Sequence, residues 1–180
     1  MNPLKDYNIG FVGLPLGKHQ FEFSIGNEFF ACFEATEVEK GQLSLQLFLE
    51  KQNNTMVFDF VIKGFVELNC DRCVEPYNQH LEVERTLYVK FGEEYLEQTD
   101  EIVIIPSGSS HFDMSQYVYE FIHLGLPMQH LHDNTNLKGE GCNPEVLMYI
   151  EKYKRKESGE GAADSPWKAL EGLKFENDNK

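Results

Sequence analysis

The sequence predicts an α+β fold: an antiparallel β-sheet or meander, partly barrel-like, packed by one main helix and short C-terminal helices. Three observations predict it. Apolar and polar residues alternate with period two through most of 41–91, as in strands with one buried face. No helix of crossover length separates these runs, which favours antiparallel pairing over βαβ units. At 180 residues, 41% hydrophobic with 14 Phe, the chain can fill one aromatic-rich core.

In chain order, Asp6 to Lys18 is punctuated by Gly10, Gly13, Pro15 and Gly17 and reads as an extended arm or loop. His19 to Ile25 places Phe21, Phe23 and Ile25 on one face of a first strand. Asn27 is a suitable N-cap for a short helical turn that gathers Phe29, Phe30 and Phe33. Cys32, in this patch, is expected to be a small buried hydrophobe and not a ligand. Gly41 opens a strand with Leu43, Leu45, Leu47 and Leu49 in register; Gln52-Asn53-Asn54 is a turn. Met56, Phe58, Phe60 and Ile62 then alternate, which makes a hairpin. The second strand continues through Phe65, Val66 and Leu68. After Pro76, Leu81, Val83, Leu87, Val89 and Phe91 alternate with polar neighbours and form a further hairpin partner. Gly92 to Glu101 is an acidic loop, and Ile102 to Ile105 a short strand.

Asp113 is positioned to cap a helix, with Gln116 at the capping-box position and Met114, Tyr117, Val118, Phe121 and Ile122 along its apolar stripe. Gly125 and Pro127 end it. Asn143-Pro144 opens another helix, with Val146, Leu147 and Ile150 on one side. The composition predicts one α+β domain over 1–155, a flexible linker over 156–164 and a C-terminal amphipathic helix over 165–176 carrying Trp167, Leu170 and Leu173.

Net charge is −14, and residues 1–150, with nine basic and 23 acidic side chains, carry all of it. Such a body repels a phosphate backbone. The basic run Lys152, Lys154, Arg155 and Lys156 is therefore the expected place for any RNA contact, and the acidic surface suits a basic protein, although acidity also serves plain solubility. No run approaches a membrane span, and Met1 to Gly10 lacks an apolar signal segment, so a cytoplasmic protein is expected.

The chemistry concentrates at Cys70-Asp71-Arg72-Cys73, where two thiols sit three positions apart at the end of a strand. They can face one metal ion or close a redox disulfide. Downstream the chain offers His130, His132 and Cys142, and the site carried forward is Cys70, Cys73, His132 and Cys142, with His130 as an alternative to His132. A redox CxxC ranks lower because no helix start is evident to lower a thiol pKa. No nucleophile–base pair, phosphate loop or two-metal carboxylate cluster is legible.

The segment CDRCVEP, the helix ending in Leu126-Pro127, then His132-Asp133, Cys142 and the closing DSPWKALEGLK together resemble the YceD family, over about Gly41 to Lys174. The resemblance implies a factor for accumulation or processing of large-subunit ribosomal RNA. It also implies a Cys-Cys…His…Cys pattern at Cys70, Cys73, His132 and Cys142. The tail departs from the family, with Asp-Ser-Pro-Trp where an Asp-Pro-Arg-Trp type is expected. Thiolates and imidazole suit tetrahedral zinc, and a closed shell makes the metal structural, with Asp133 available to orient the imidazole. The expectation is a non-enzymatic assembly factor whose partner is a large-subunit ribosomal protein or precursor rRNA particle, with no small-molecule substrate. Trp167 and the basic run are its contact residues. A thiol-disulfide oxidoreductase or nuclease is the competing class.

Overall fold

The computed structural model describes residues 3–34, 36–132 and 141–157, with side chains described up to residue 153. A 3₁₀ turn, Pro3–Tyr7, leads into β1 (Asn8–Gly10), β2 (Gly17–Ile25) and α1 (Asn27–Phe30). Then come β3 (Lys40–Lys51), β4 (Thr55–Asn69), β5 (Pro76–Gly92), β6 (Leu96–Thr99), β7 (Ile102–Pro106) and β8 (His111–Asp113). Two helices follow, α2 (Ser115–Leu124) and α3 (Pro144–Glu157). Six strands form one sheet in the order β2-β3-β4-β5-β7-β6, and β1 pairs with β8 in a separate ribbon. The class is α+β as expected. The sheet is open, with β2 and β6 at opposite edges, so the partly barrel-like expectation does not describe it.

The period-two runs become the long strands. Leu45 faces Ile62, Leu47 faces Phe60 and Leu49 faces Phe58 across β3 and β4. Val83 and Leu87 face Ile62 and Phe58 across β4 and β5. All eight side chains are at least 95% buried, because every second residue points into the same layer. The opposing layer is mostly aromatic: Phe29 and Phe30 from α1, Phe112 from β8 and Phe121 from α2, with Ile122 beside them.

Four local expectations are corrected. The arm at 6–18 is partly ordered structure, since Tyr7, Ile9 and Phe11 are buried and Lys51 Nζ donates to the carbonyls of Phe11 and Leu14 at 2.8 and 2.7 Å. Asn27 does not cap α1; its Oδ1 accepts from the Gly41 amide at 3.0 Å and pins the helix to β3. The Asp113–Gln116 capping box does not form. Asp113 Oδ1 accepts from the Ser115 amide at 2.9 Å, while Gln116 donates along the helix to Glu120. The sheet is also not a pure meander. The acidic loop holds edge strand β6, which lets β7 return parallel to β5.

Cys32 is exposed, its thiol 3.3 Å from the Glu28 carbonyl, so it is not the buried hydrophobe expected. It lies outside the ligand cluster, as expected. The segment 158–180, which holds most of the expected linker, the C-terminal helix and Trp167, lies outside the described residues. No helix among the described residues is long and apolar enough to cross a membrane.

Gly64 sits mid-strand in β4 at φ +149°, opposite Leu43. A Cβ there would run into the Gln42 carbonyl and Leu43 Cα, so the glycine permits close approach of β3 and β4. Gly64→Ala is expected to lower unfolding free energy by about 2 kcal/mol or more, from strain plus overpacking. Urea denaturation checks this, and a change within error of zero would refute the close-approach account.

Candidate metal centre

The register of the β4–β5 hairpin sets the position of both close thiols. Asn69 pairs with Pro76, and residues 70–75 make the closing turn. The Cys70 amide donates to Glu75 O at 3.0 Å and the Val74 amide to Cys70 O at 2.8 Å. Cys70 and Cys73 are buried beneath Leu131, with Tyr77, Cys142 and Val146 around them.

The loop after α2 is held to this turn by a two-bond clamp. The Asp71 amide donates to His130 O, and the His130 amide donates to Asp71 Oδ2, each at 2.7 Å. The His130 ring turns away, with Nδ1 3.3 Å from Glu37 Oε1. His132 instead faces the thiols, its ring against Tyr77 with centroids 5.3 Å apart. Of the two histidines left open in the sequence, it is His132 that lies close to the three thiols. Asp133 lies outside the described residues.

Cys142 arrives from the start of α3. Asn143 Oδ1 accepts from the Glu145 amide at 2.9 Å, which caps that helix, and Asn143 Nδ2 donates to Glu75 Oε1 at 2.8 Å, which ties it to the turn. Gly141, at φ +82°, passes close to His132, where a Cβ would sit 3.2 Å from the His132 Cβ.

The ligand atoms of Cys70, Cys73, His132 and Cys142 all lie within 4.8 Å of one another. Sγ of Cys70 and Cys142 are 3.8 Å apart. His132 Nδ1 is 3.5 Å from the Cys73 sulfur and 3.8 Å from that of Cys142. A tetrahedral zinc with Zn–S of about 2.3 Å and Zn–N of about 2.0–2.1 Å separates two sulfurs by about 3.8 Å and a sulfur from a nitrogen by about 3.6 Å. Three of the six donor pairs match the edges of such a tetrahedron and the others lie within 4.8 Å, so the four residues could hold a metal.

The thiols are electrostatically unequal. Burial raises the Cys70 pKa, but the amides of Cys73 and Arg72 and the His132 ring favour the thiolate more, and the value falls to about 6. Burial first, then the neighbouring thiols of Cys70 and Cys73, push Cys142 up to about 11. No helix starts at the CxxC, as expected, but the turn amides favour the Cys70 thiolate as a helix start would have done.

Sequence reasoning missed Asp71 and Asn143. Each is a short polar residue beside a ligand, a pattern that signals side-chain-to-backbone bonding. Of the expected contact residues, Lys152 is exposed on α3 and Lys154, Arg155 and Lys156 continue that helix. A cleft of about 380 Å³ between β6 and α2 holds Tyr95 and Tyr117, both donating to Glu97, at 2.6 and 3.0 Å. Burial, followed by the Tyr95 contact, raises the Tyr117 pKa. Ser110 Oγ lies 2.7 Å from His111 Nδ1, but both residues are exposed and adjacent in sequence, as in a turn contact.

A family model matches residues 58–174, well over half of the chain, and its description reads large ribosomal RNA subunit accumulation protein YceD. No curated protein and no solved structure matches the chain.

Two outcomes follow from this geometry. Cys142→Ser is expected to abolish retention of one metal ion in native mass spectrometry, while Cys32→Ser retains it; equal retention by both would refute the four-ligand site. Val74 adopts φ +62°, a costly conformation for a β-branched residue, and its side chain is exposed. Val74→Asn is expected to raise stability by about 1 kcal/mol in chemical denaturation, because Asn tolerates this conformation. A loss of stability would refute the strain.

Proposed function

Because the chain belongs to the YceD family, described as large ribosomal RNA subunit accumulation proteins, we propose that it acts as a non-enzymatic factor in large-subunit ribosome biogenesis, built around a structural zinc site. The observation that carries the zinc reading is the convergence of three thiols and one imidazole on tetrahedral spacing, all inside the stretch matched to the family. Bound there, zinc would supply a cross-link between the hairpin turn and the two segments that follow α2. The chain's own residues prepare the site. Asp71 holds the His132 loop, Asn143 holds the Cys142 segment, and the turn amides keep one thiol ionised. Three sulfurs and one nitrogen leave no open coordination position, which favours a structural role over a catalytic one.

The proposed partners are a large-subunit ribosomal protein or the precursor particle. The negative body is suited to holding a basic protein. Any direct RNA contact falls to Lys152, Lys154, Arg155, Lys156 and Trp167. The cytoplasm is the proposed compartment, in keeping with thiols held as ligands.

The lowered Cys70 pKa favours a second reading, a thiol-disulfide oxidoreductase. Alkylation separates the two. Under the zinc reading Cys70 and Cys73 resist iodoacetamide until a chelator is added, whereas rapid labelling of one thiol without chelator would support the redox reading.

For the role itself, cell lysate sedimented on a sucrose gradient at low salt is expected to carry the protein in fractions of large-subunit precursors and not of mature ribosomes. Presence only at the top of the gradient, together with normal levels of large-subunit RNA in cells lacking the protein, would refute the assignment.

A further inference from the structure

The helices α1 and α2 both pack on the inner face of the sheet, where Phe29, Phe30, Phe121 and Ile122 join the core. The outer face carries an apolar stripe of its own. Val57 pairs with Tyr88, Tyr88 pairs with Ile102, and Phe48 stands diagonal to Val57 across β3 and β4. Phe48 is 38% exposed and Tyr88 39%, with Val57 and Ile102 half-buried between and beside them. A solvated antiparallel face ordinarily alternates to polar residues, so four large apolar side chains crossing four strands stand out.

Carboxylates frame the stripe. Glu50 and Asp59 share its two rows and Glu22 and Glu84 stand in the row beside Phe48 and Asp59, against Lys18 within the rows and Lys90 in the row beyond Tyr88. At the Ile102 end, the segment from Gly92 to Glu101 adds Glu93, Glu94, Asp100 and Glu101 with no Lys or Arg, while Glu97 turns to the inner side toward Tyr117. Asp59 is oriented by the Thr86 hydroxyl, which donates to it at 2.6 Å.

We infer that the outer sheet face is a docking surface for an extended basic polypeptide segment in which Lys or Arg alternates with aliphatic side chains. The aliphatic groups cover Phe48, Val57, Tyr88 and Ile102, and the cations meet the flanking carboxylates. Strands lie about 4.8 Å apart and an extended chain rises about 3.3 Å per residue, so crossing from β3 to β7 takes about five residues. The same carboxylates repel phosphate and would face one another in a dimer across this surface, which disfavours RNA and a second copy as occupants. The source of the segment, a large-subunit ribosomal protein, rests on the reading above, since such a protein must carry excess cations to bind RNA. The surface stands on register, exposure and charge.

The test uses the full chain and a fluorescein-labelled peptide alternating Lys or Arg with Val, read by fluorescence anisotropy at physiological salt. Phe48→Ser combined with Tyr88→Ser is expected to weaken binding by about tenfold or more, as removal of aromatic anchors does. Glu50→Lys combined with Glu84→Lys should weaken it as well, and Tyr149→Ser with Tyr153→Ser on α3 should not. A Lys-Gly peptide of equal charge should bind at least about tenfold more weakly, because burial of the aliphatic groups is lost. Thermal melts confirm that the surface variants fold. Parental affinity in the Phe48/Tyr88 variant, or displacement of the peptide by a single-stranded RNA oligonucleotide, would overturn the proposal. If the parent protein sediments with precursors but the sheet variants bind peptide normally, the surface fails and the ribosomal reading stands. If binding depends on the stripe and no sedimentation with precursors occurs, the surface stands and the ribosomal reading fails.

Discussion

The pairing of β4 with β5 is the constraint on which the rest depends. Fifteen paired positions run from Thr55–Lys90 to Asn69–Pro76, down the middle of the sheet. A slip of one residue would turn Phe58, Phe60 and Ile62 to solvent and Asp59 and Lys63 to the core, so the buried face fixes the register. That register in turn fixes where the closing turn falls. Cys70 and Cys73 are brought to the end of a rigid double strand because the core, many residues away, permits no other alignment.

The ligands that arrive from later in the chain are prepared independently. Asp71 and Asn143 each bond a backbone group and reach across to another segment, one to the loop of His132 and one to the approach of Cys142. These hydrogen bonds place the donors near tetrahedral spacing before any metal is considered. The small cluster around them contains one buried aliphatic residue, Leu131, beside Cys70 and Cys73. Apolar burial there contributes little compared with the main core, so a metal cross-link is the natural source of the missing stabilisation. The proposed division of labour follows, with the metal site holding the post-α2 segments in place and the charged surfaces meeting the partner.

Period two was legible in the sequence wherever one strand face met the core, as in Leu43 to Leu49 and Met56 to Ile62, because burial imposes the pattern directly. Chain direction was not legible. Nothing in Ile102 to Ile105 says that β7 runs parallel to β5, since that depends on a short edge strand whose residues are all exposed. Short polar residues misled for a related reason. Asn27 and Asp113 can bond several amides; Asn27 took that of Gly41 on the next strand, and Asp113 that of Ser115, two residues on. At the candidate site, residue types and spacing identified the cysteines but left two histidines. The choice turned on the Asp71 clamp and on Glu37, which is distant in sequence and takes the His130 ring.

The most direct measurement is zinc-edge X-ray absorption on the full-length protein purified without added metal. The expected result is about one zinc per chain, with three sulfurs at about 2.3 Å and one nitrogen at about 2.0–2.1 Å. Metal-free protein, or a shell dominated by oxygen, would contradict the structural zinc site on which this account of the hairpin turn and its neighbouring segments is built.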